Sequence, residues 1–185
     1  MSNEATASAA AVTTWEIDPA HSHAQFKVRH LMISNVKGEF TKLSGTVKID
    51  SADLTQSSVE VTVDTASIST RDPQRDGHLK SPDFFDVEQY PTITFKSSKV
   101  SRTEDGLELA GDLTIRGITK PVMFEVDGPT PETKDPWGNV RKGVEATTTI
   151  DRKDFGLAWN ATLETGGVMV GDKVTITVDA EIVKK

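Results

Sequence analysis

The chain has 185 residues, a net charge of −7 and no cysteine. Its length is typical of one domain, and a chain of this size buries about 70% of its unfolded surface without covalent cross-links. The missing cysteines exclude disulfides, thiolate catalysis and cysteine-ligated metals. The negative charge argues against a nucleic-acid partner or an anionic membrane surface, since both bind clustered Lys and Arg. No apolar run approaches the ~18 residues of a membrane-spanning helix, so we expect no stable membrane insertion.

The N-terminal residues 1–12 are small and polar, and they lack the basic region and the continuous apolar region of a signal peptide. We therefore predict a flexible N-terminal arm over residues 1–13 and one folded domain over residues 14–185. The start as it stands predicts a cytoplasmic protein. Removal of a signal peptide before this start would instead place the protein in the periplasm.

Most of the remaining chain alternates apolar with polar or charged residues, which is the pattern of strands with one buried face. In the second alternating segment the apolar phase changes near Thr41 and Lys42, which predicts a bulge or bend there. Eight strands in series with mostly short connections are typical of an antiparallel up-and-down barrel. The predicted strands cover residues 26–30, 36–49, 59–63, 93–95, 107–115, 122–126, 144–150 and 174–182.

One segment, residues 72–86, interrupts the alternation between the third and fourth predicted strands. Asp72 is a candidate N-cap with Pro73 at the first helical position, which predicts a short helix. The segment ends with Phe84 and Phe85 between acidic residues, at an expected water boundary. We predict that it packs on the barrel and is also a lid over one end, since closing the pore requires both. Plain packing without a lid role is the alternative.

The apolar face of the barrel could lie inside or outside, because a membrane barrel alternates in the same way with its apolar face toward lipid. Here no export signal is visible, only 6% of the residues are aromatic, and the chain ends in two lysines. Few aromatic residues remain for the two interfacial girdles of a membrane barrel. We therefore predict a lipocalin-like, all-β barrel in water with its apolar face inside.

The interior of such a barrel is either a packed core or a pore for one slim ligand. Strands of about ten residues predict a barrel roughly 25 Å tall. Small residues on inward positions (Gly38, Gly111, Ala146 and Ala180) favour a narrow apolar pore that suits a long hydrocarbon chain. The residues predicted to contact such a ligand are Phe26, Val28, His30, Phe40, Val61, Phe84, Phe85, Phe95, Leu109, Gly111, Leu113, Phe124, Ala146 and Ile176.

Four motifs follow one another along nearly the whole chain. The first two are Trp15-x-Ile17-Asp18-x-x-His21-Ser22-x-x-x-Phe26-x-Val28-x-His30 with Gly38-x-Phe40, and His78-Leu79-x-Ser81-x-Asp83-Phe84-Phe85-Asp86 with Tyr90-Pro91 and Phe95. The other two are Gly111-x-Leu113-x-Ile115-x-Gly117-x-Thr119-x-Pro121-Val122 and Asp151-Arg152-x-Asp154-Phe155-Gly156. In this order they resemble the YceI-like family of polyisoprenoid-binding, lipocalin-like proteins. The resemblance implies an eight-stranded barrel capped by a helical segment, a pore for an isoprenoid quinone-like amphiphile, often a homodimer, and in many members export to the periplasm.

His30 is the titratable side chain on the predicted inward strand faces. A lone inward His is most often a hydrogen-bonded core residue; contact with a ligand head group comes second, and catalysis third, because acid–base work needs a positioned partner. His21 and His23 have metal-ligand spacing but fall on the outward face, which favours surface histidines. Arg152, with aspartates nearby, indicates a structural ion pair rather than a head-group ligand.

These patterns together predict a non-catalytic protein that binds a long-chain lipid (a polyisoprenoid, an isoprenoid quinone or a fatty-acid-like molecule) for carriage, storage or protection. We expect no cofactor other than such a lipid, no nucleic-acid partner, and a homodimer as the resemblance implies. One alternative is a small hydrolase or isomerase for an amphiphile, which needs at least two convergent polar groups. The other is a metal-binding stress module that uses His21 and His23.

Overall fold

The computed structural model describes residues 12–185, which form twelve β-strands and one α-helix. The predicted arm lies outside these residues except for Val12 and Thr13. Both belong to the first strand, where they pair with Asp50 and Ile49. The elements are β1 (Val12–Ile17), β2 (His23–His30), β3 (Ser34–Phe40), β4 (Leu43–Asp50), β5 (Ser58–Asp64), β6 (Ile68–Ser69), α1 (Pro73–Lys80), β7 (Thr92–Arg102), β8 (Leu107–Ile115), β9 (Ile118–Asp127), β10 (Thr133–Lys134), β11 (Val140–Asp151) and β12 (Val170–Lys184).

Four of these strands are the halves of two bent ones. β1 and β2 follow each other around a short 3-10 turn at Pro19–His21, and β3 and β4 follow each other around Thr41 and Lys42. β1 pairs with β4 while β2 pairs with β3, so the two bent strands run side by side. The bend predicted near Thr41 is thereby confirmed. β1 is not evident from the sequence, because two threonines interrupt its apolar alternation.

The strands close into an antiparallel barrel. With each bent strand counted once, the order around the barrel is β1/β2, β3/β4, β5, β7, β8, β9, β11 and β12. β12 completes the ring, since it pairs with β11 along one edge and with β2 and β1 along the other. The predicted all-β, eight-stranded up-and-down barrel is confirmed. The two-residue strands β6 and β10 extend the sheet beside β3 and β11.

Polar side chains of Asp18, Ser22 and Arg141, here called the polar corner, stabilise the bend between β1 and β2. Asp18 caps the 3-10 turn with its carboxylate, and the buried hydroxyl of Ser22 bonds the backbone N–H and C=O of Glu181, at 3.0 and 3.3 Å. This hydroxyl takes the place of ladder hydrogen bonds that the bend removes. Arg141 of β11 donates to Asp18 at 2.7 Å and to Asp135 at 2.8 Å, which ties the corner to the adjoining strands.

The two ends of the barrel are covered differently. Trp15 is fully buried at the end away from α1, with the ammonium groups of Lys142 and Lys184 5.6 and 5.7 Å from its ring centre. α1 and the residues after it cover the other end. The predicted helix is confirmed, with the Asp72 carboxylate accepting from two backbone amides of the first turn. No helix in the described part of the chain is long and apolar enough to cross a membrane.

Candidate ligand-binding cavity

A continuous cavity of about 860 Å³ occupies the barrel interior. Leu107 and Ile115, at opposite ends of β8, both line it. At ~3.3 Å per residue and a strand tilt of ~40°, this stretch corresponds to roughly 20 Å along the barrel axis. All eight barrel strands contribute aliphatic or aromatic side chains to the wall. The size and composition of the cavity are those of a site for an apolar small molecule.

The structure brings thirteen of the fourteen predicted contact residues together on the wall of this cavity. Their side chains alternate along the strands as expected, with Phe84 and Phe85 added from the lid segment, residues 72–86. Their contact with a ligand stays a prediction. The thirteen are Phe26, Val28, His30, Phe40, Val61, Phe84, Phe85, Phe95, Leu109, Leu113, Phe124, Ala146 and Ile176.

Gly111 does not border the cavity, although it faces inward. A Cβ atom there would lie 2.5 Å from the ring of Phe95, which fills the space above the glycine. Gly38 lies beneath the ring of Phe26 in the same way, at 2.4 Å. The two glycines therefore make room for aromatic rings of the neighbouring strands rather than for a ligand. Of the four small residues predicted to face a pore, Ala146 and Ala180 line the cavity.

Aromatic rings connect the lid segment to the β2–β3 side of the barrel. The rings of Phe85 and Phe40 meet edge to face with their centres 5.6 Å apart. Phe40 in turn contacts Phe26 on β2, at 5.8 Å. Such aromatic pairs contribute about 0.5–1.5 kcal/mol beyond the burial of their area. Phe85 therefore holds the lid segment against the mouth of the cavity.

A second aromatic group connects the lid segment to the loop between β11 and β12. His78 and Phe84 both pack on Trp159, with ring centres 4.7 and 5.4 Å apart. The Nε2 atom of His78 lies 2.9 Å from a carboxylate oxygen of Asp83, so one edge of its ring is turned toward a polar partner. Phe84 itself is buried. The mouth of the cavity is thus spanned by aromatic contacts on both sides.

Hydrogen bonds fix the lid segment to the backbone around it. Arg75 donates to the hydroxyl and the carbonyl oxygen of Thr70, at 2.7 and 2.8 Å. Asp76 accepts from the backbone N–H and the hydroxyl of the same threonine. Arg116, in the turn between β8 and β9, donates to the carbonyl oxygen of Pro82 at 2.9 Å. The segment is therefore an ordered cover rather than a loose loop.

The lid end of the cavity also contains polar side chains that the strand pattern does not identify. Asp72, Gln74, Arg75 and His78 line the cavity from α1 and its N-cap. The sequence does indicate that these side chains face the same way, because positions 72, 75 and 78 have a spacing that places them on one face of a helix. Alternation assigns directions only to side chains on strands, so His30 is the titratable side chain that it predicts to face inward.

Arg152 is buried at this end and organises the loop between β11 and β12. Asp172 lies 3.8 Å away, and burial lowers the pKa of the guanidinium group below its ordinary value. The main partners are carbonyl groups rather than the neighbouring aspartates that the sequence suggests, since Asp151 instead caps the following 3-10 turn. The group donates to four backbone carbonyls, those of Leu157, Trp159, Val170 and Gly171.

His21 belongs to the polar corner, where its Nδ1 atom lies 2.7 Å from a carboxylate oxygen of Asp18. Arg141 and then His21 hold the pKa of Asp18 at about 2, below the ordinary value of 3.8. His23 begins β2, on the strand after the corner. Among residues 12–185, no group of three or more His, Asp or Glu side chains is placed to hold a metal ion.

Comparison with known proteins agrees with this architecture. The chain matches the model of the YceI-like domain over residues 15–182. The UPF0312 protein SAS2572 of Staphylococcus aureus (strain MSSA476) is 39% identical over 172 residues, which cover 92% of this chain and 97% of that protein. The predicted resemblance to the family is therefore confirmed at the level of sequence.

Solved structures show the same fold. BcnA of Burkholderia cenocepacia superposes with a TM-score of 0.75 at 25% identity, over 89% of this chain and 98% of BcnA. The YCEI protein of Campylobacter jejuni gives a TM-score of 0.70 at 30% identity, over 86% and 91% of the two chains. A polyisoprenoid binding domain from Saccharophagus degradans gives 0.65 at 15% identity, over 94% and 99%, and shows a shared fold. This chain belongs to the YceI-like family.

Proposed function

We propose that this protein binds, without catalysis, a long-chain amphiphile such as a polyisoprenoid or an isoprenoid quinone, and holds it for carriage, storage or protection. The observation that carries the proposal is the apolar cavity that runs along the barrel beneath the lid segment. Each methylene group that moves from water into such surroundings contributes about 0.8 kcal/mol. A compact polar metabolite would instead leave its hydrogen-bonding groups unsatisfied there.

The distribution of polar side chains gives the ligand a direction. His30, Gln74 and His78 line the lid end of the cavity, whereas Leu54 and Leu107 line the end near the buried tryptophan. A polar head group would therefore lie beneath the lid segment, and the hydrocarbon tail would extend down the barrel.

The two arginines at the lid end donate to partners within the protein, which favours binding over catalysis. Arg75 directs its donors to Thr70, and Arg152 directs its donors to backbone carbonyls. Catalysis by either group would require it to leave these partners and face a substrate. The name of the Saccharophagus degradans neighbour fits a polyisoprenoid ligand, but the low identity makes the cavity itself the basis of the proposal.

Native mass spectrometry of protein purified from cells, followed by organic extraction, tests the proposal directly. We expect a mass increment on the folded protein and a long-chain lipid in the extract. Repeated extraction that yields only background, together with failure to bind added isoprenoid quinone, would contradict it. Release of a free acid from an esterified probe would contradict its non-catalytic part.

A series of saturated fatty alcohols of increasing length tests the shape of the site. Affinity should rise by about 0.8 kcal/mol, or roughly fourfold, for each added methylene group, because each is buried in the cavity. The rise should end when the chain fills the cavity. Displacement of a fluorescent probe measures this series, and an affinity independent of chain length would contradict the proposal.

A further inference from the structure

The turn between β2 and β3 exposes apolar side chains in an unfavourable backbone conformation. Ile33 donates from its backbone to the carbonyl oxygen of His30 at 3.1 Å, which closes a two-residue turn over Leu31 and Met32. Both residues have positive φ, 52° and 64°. Turns of this kind favour Asn-Gly, because large side chains are strained at positive φ. Met32 is 57% exposed and Ile33 is 75% exposed, so packing against the barrel does not explain them.

This turn borders the mouth of the cavity. The backbone N–H of Leu31 donates to the carbonyl oxygen of Met169 at 2.8 Å. A Cβ atom at Gly167 would lie 3.4 Å from the Met32 side chain, so Met32 lies over the end of the loop between β11 and β12. Val168, the next residue of that loop, is also exposed. We call Met32, Ile33 and Val168 the rim patch.

The same hairpin carries positive charge just behind the rim patch. Lys27 on β2 and Lys37 on β3 are exposed and directly opposite each other, although like charges in this arrangement repel. Arg29 is also exposed, and it donates to the carbonyl oxygen of Met32 at 3.2 Å. With Glu39 as the one carboxylate, the stretch from His23 to Phe40 has a net charge of +2, in a chain whose total is −7.

We propose that the tip of the β2–β3 hairpin docks on an anionic membrane surface, with the rim patch in the interfacial layer and Lys27, Arg29 and Lys37 against the lipid head groups. Exposed apolar side chains flanked by cations fit such a surface, and the negative remainder of the chain orients the hairpin toward it. The mouth of the cavity would then face the bilayer. Passage of a lipid through it rests on the proposed function, whereas docking itself does not.

Vesicle co-sedimentation tests the docking. The full chain should bind vesicles of phosphatidylcholine mixed with phosphatidylglycerol more strongly than vesicles of phosphatidylcholine alone, and added salt should weaken the difference. Met32→Gly combined with Ile33→Thr should lower the partition at least about tenfold, because the apolar contact is lost. The glycine relieves the positive φ, so this variant should melt no lower than the parent.

Charge is tested by Lys27→Gln combined with Lys37→Gln, which should lower binding to the anionic vesicles by about fivefold for each lysine. Lys48→Gln combined with Lys99→Gln is the matched control, since both lysines are exposed elsewhere on the barrel and the change in net charge is the same. Equal losses in the two double variants would show that only overall charge matters and would overturn the proposal.

Trp137→Ser is the control for the apolar contact, because this tryptophan is 83% exposed outside the hairpin. Loss of binding in this variant but not in the rim-patch variant would overturn the proposal. So would a parent that is dimeric and a rim-patch variant that is monomeric in gel filtration, since the patch would then join two copies of the chain. A lipid-loaded parent that does not bind vesicles would overturn docking alone. A parent that binds vesicles, but carries no lipid and takes up no added isoprenoid quinone, would overturn the proposed function alone.

Discussion

The two sides of the barrel interior use inward-facing residues in different ways. Most inward side chains of β7 and β8, together with Phe124 of β9, are buried, whereas those in the middle of β11 and β12 are only partly buried although they also point inside. Because the interior holds the cavity, partial exposure of an inward residue measures its contact with that space. The buried set is Ile93, Phe95, Leu109, Leu113, Ile115 and Phe124, and the partly exposed set is Val144, Ala146, Val174, Ile176 and Val178.

The difference follows from side-chain size. The rings of Phe95 and Phe124 pack edge to face with their centres 5.2 Å apart. Gly111 has no side chain, so the Phe95 ring can lie against β8 at this position. On the other side, Ala146 pairs with Val178 and Val144 pairs with Ala180, so no ring projects from these positions. The wall formed by β7, β8 and β9 is therefore packed like a protein core, and we call it the packed wall. The wall formed by β11 and β12 is left open to a ligand, and we call it the open wall.

Truncation on the packed wall should have the largest effect on stability. We expect Phe124→Ala to lower the free energy of unfolding by ~3–5 kcal/mol, because it removes a buried ring and leaves a hole among tightly packed neighbours. Urea denaturation followed by circular dichroism measures the change. Val178→Ala on the open wall is the comparison, and its cost should be less than half as large. Equal costs would mean that the two walls are packed alike.

Added bulk on the open wall should affect the ligand instead. Ala146→Phe places a ring in the cavity, where it competes with the hydrocarbon chain, and we expect the affinity for a long-chain probe to fall at least tenfold, or about 1.4 kcal/mol. The free energy of unfolding should change little. Thr147→Phe is the matched control, since the next residue points to the outside of the barrel. If Ala146→Phe folds and binds like the parent, the ligand does not occupy this part of the cavity.

The lid segment should control how long the ligand stays. Phe84→Ala combined with Phe85→Ala removes the contacts of these two rings at the mouth. We expect a faster off-rate with a smaller change in the on-rate. Stopped-flow displacement of a fluorescent fatty-acid probe measures both rates. An unchanged off-rate in a folded double variant would reduce the segment to ordinary packing on the end of the barrel.

The polar corner at the outer edge of the open wall should give the smallest effect, and one that depends on pH. The pKa of Asp18 is held at about 2, below its ordinary value of 3.8, chiefly by Arg141, which also keeps the pKa of Asp135 well below its usual range. Lowered carboxyl pKa values stabilise the fold above their ordinary range, and this contribution is lost as the pH falls toward 2. Arg141→Gln should therefore raise the pH midpoint of acid unfolding.

Acid titration followed by circular dichroism measures this midpoint. Lys96→Gln is the control, because Lys96 and Glu60 form an exposed pair 3.7 Å apart that water screens. The midpoint of the control should stay at the value of the parent. A midpoint that is also unchanged in Arg141→Gln would show that the corner contributes nothing to stability in acid.

Much of this architecture follows from local chemistry that the sequence displays. Alternation along a strand assigns each side chain to one face whatever the neighbouring strands are, so the inward parity of residues such as Phe26, His30 and Ile176 is predictable. The N-cap at Asp72 and the bend near Thr41 are equally local, since each depends on a few adjacent residues. The barrel follows from these elements because short connections allow consecutive strands to pair.

Tertiary structure decided which inward positions border open space. Gly111 and Ala146 have the same parity and similar size, yet a ring from an adjacent strand covers the first and none covers the second. The partners of Arg152 and the inward face of α1 were also decided by packing, since they depend on a loop and a helix to which alternation assigns no direction. The face on which a side chain lies is set by its own strand, whereas the empty volume beside it depends on all the surrounding side chains.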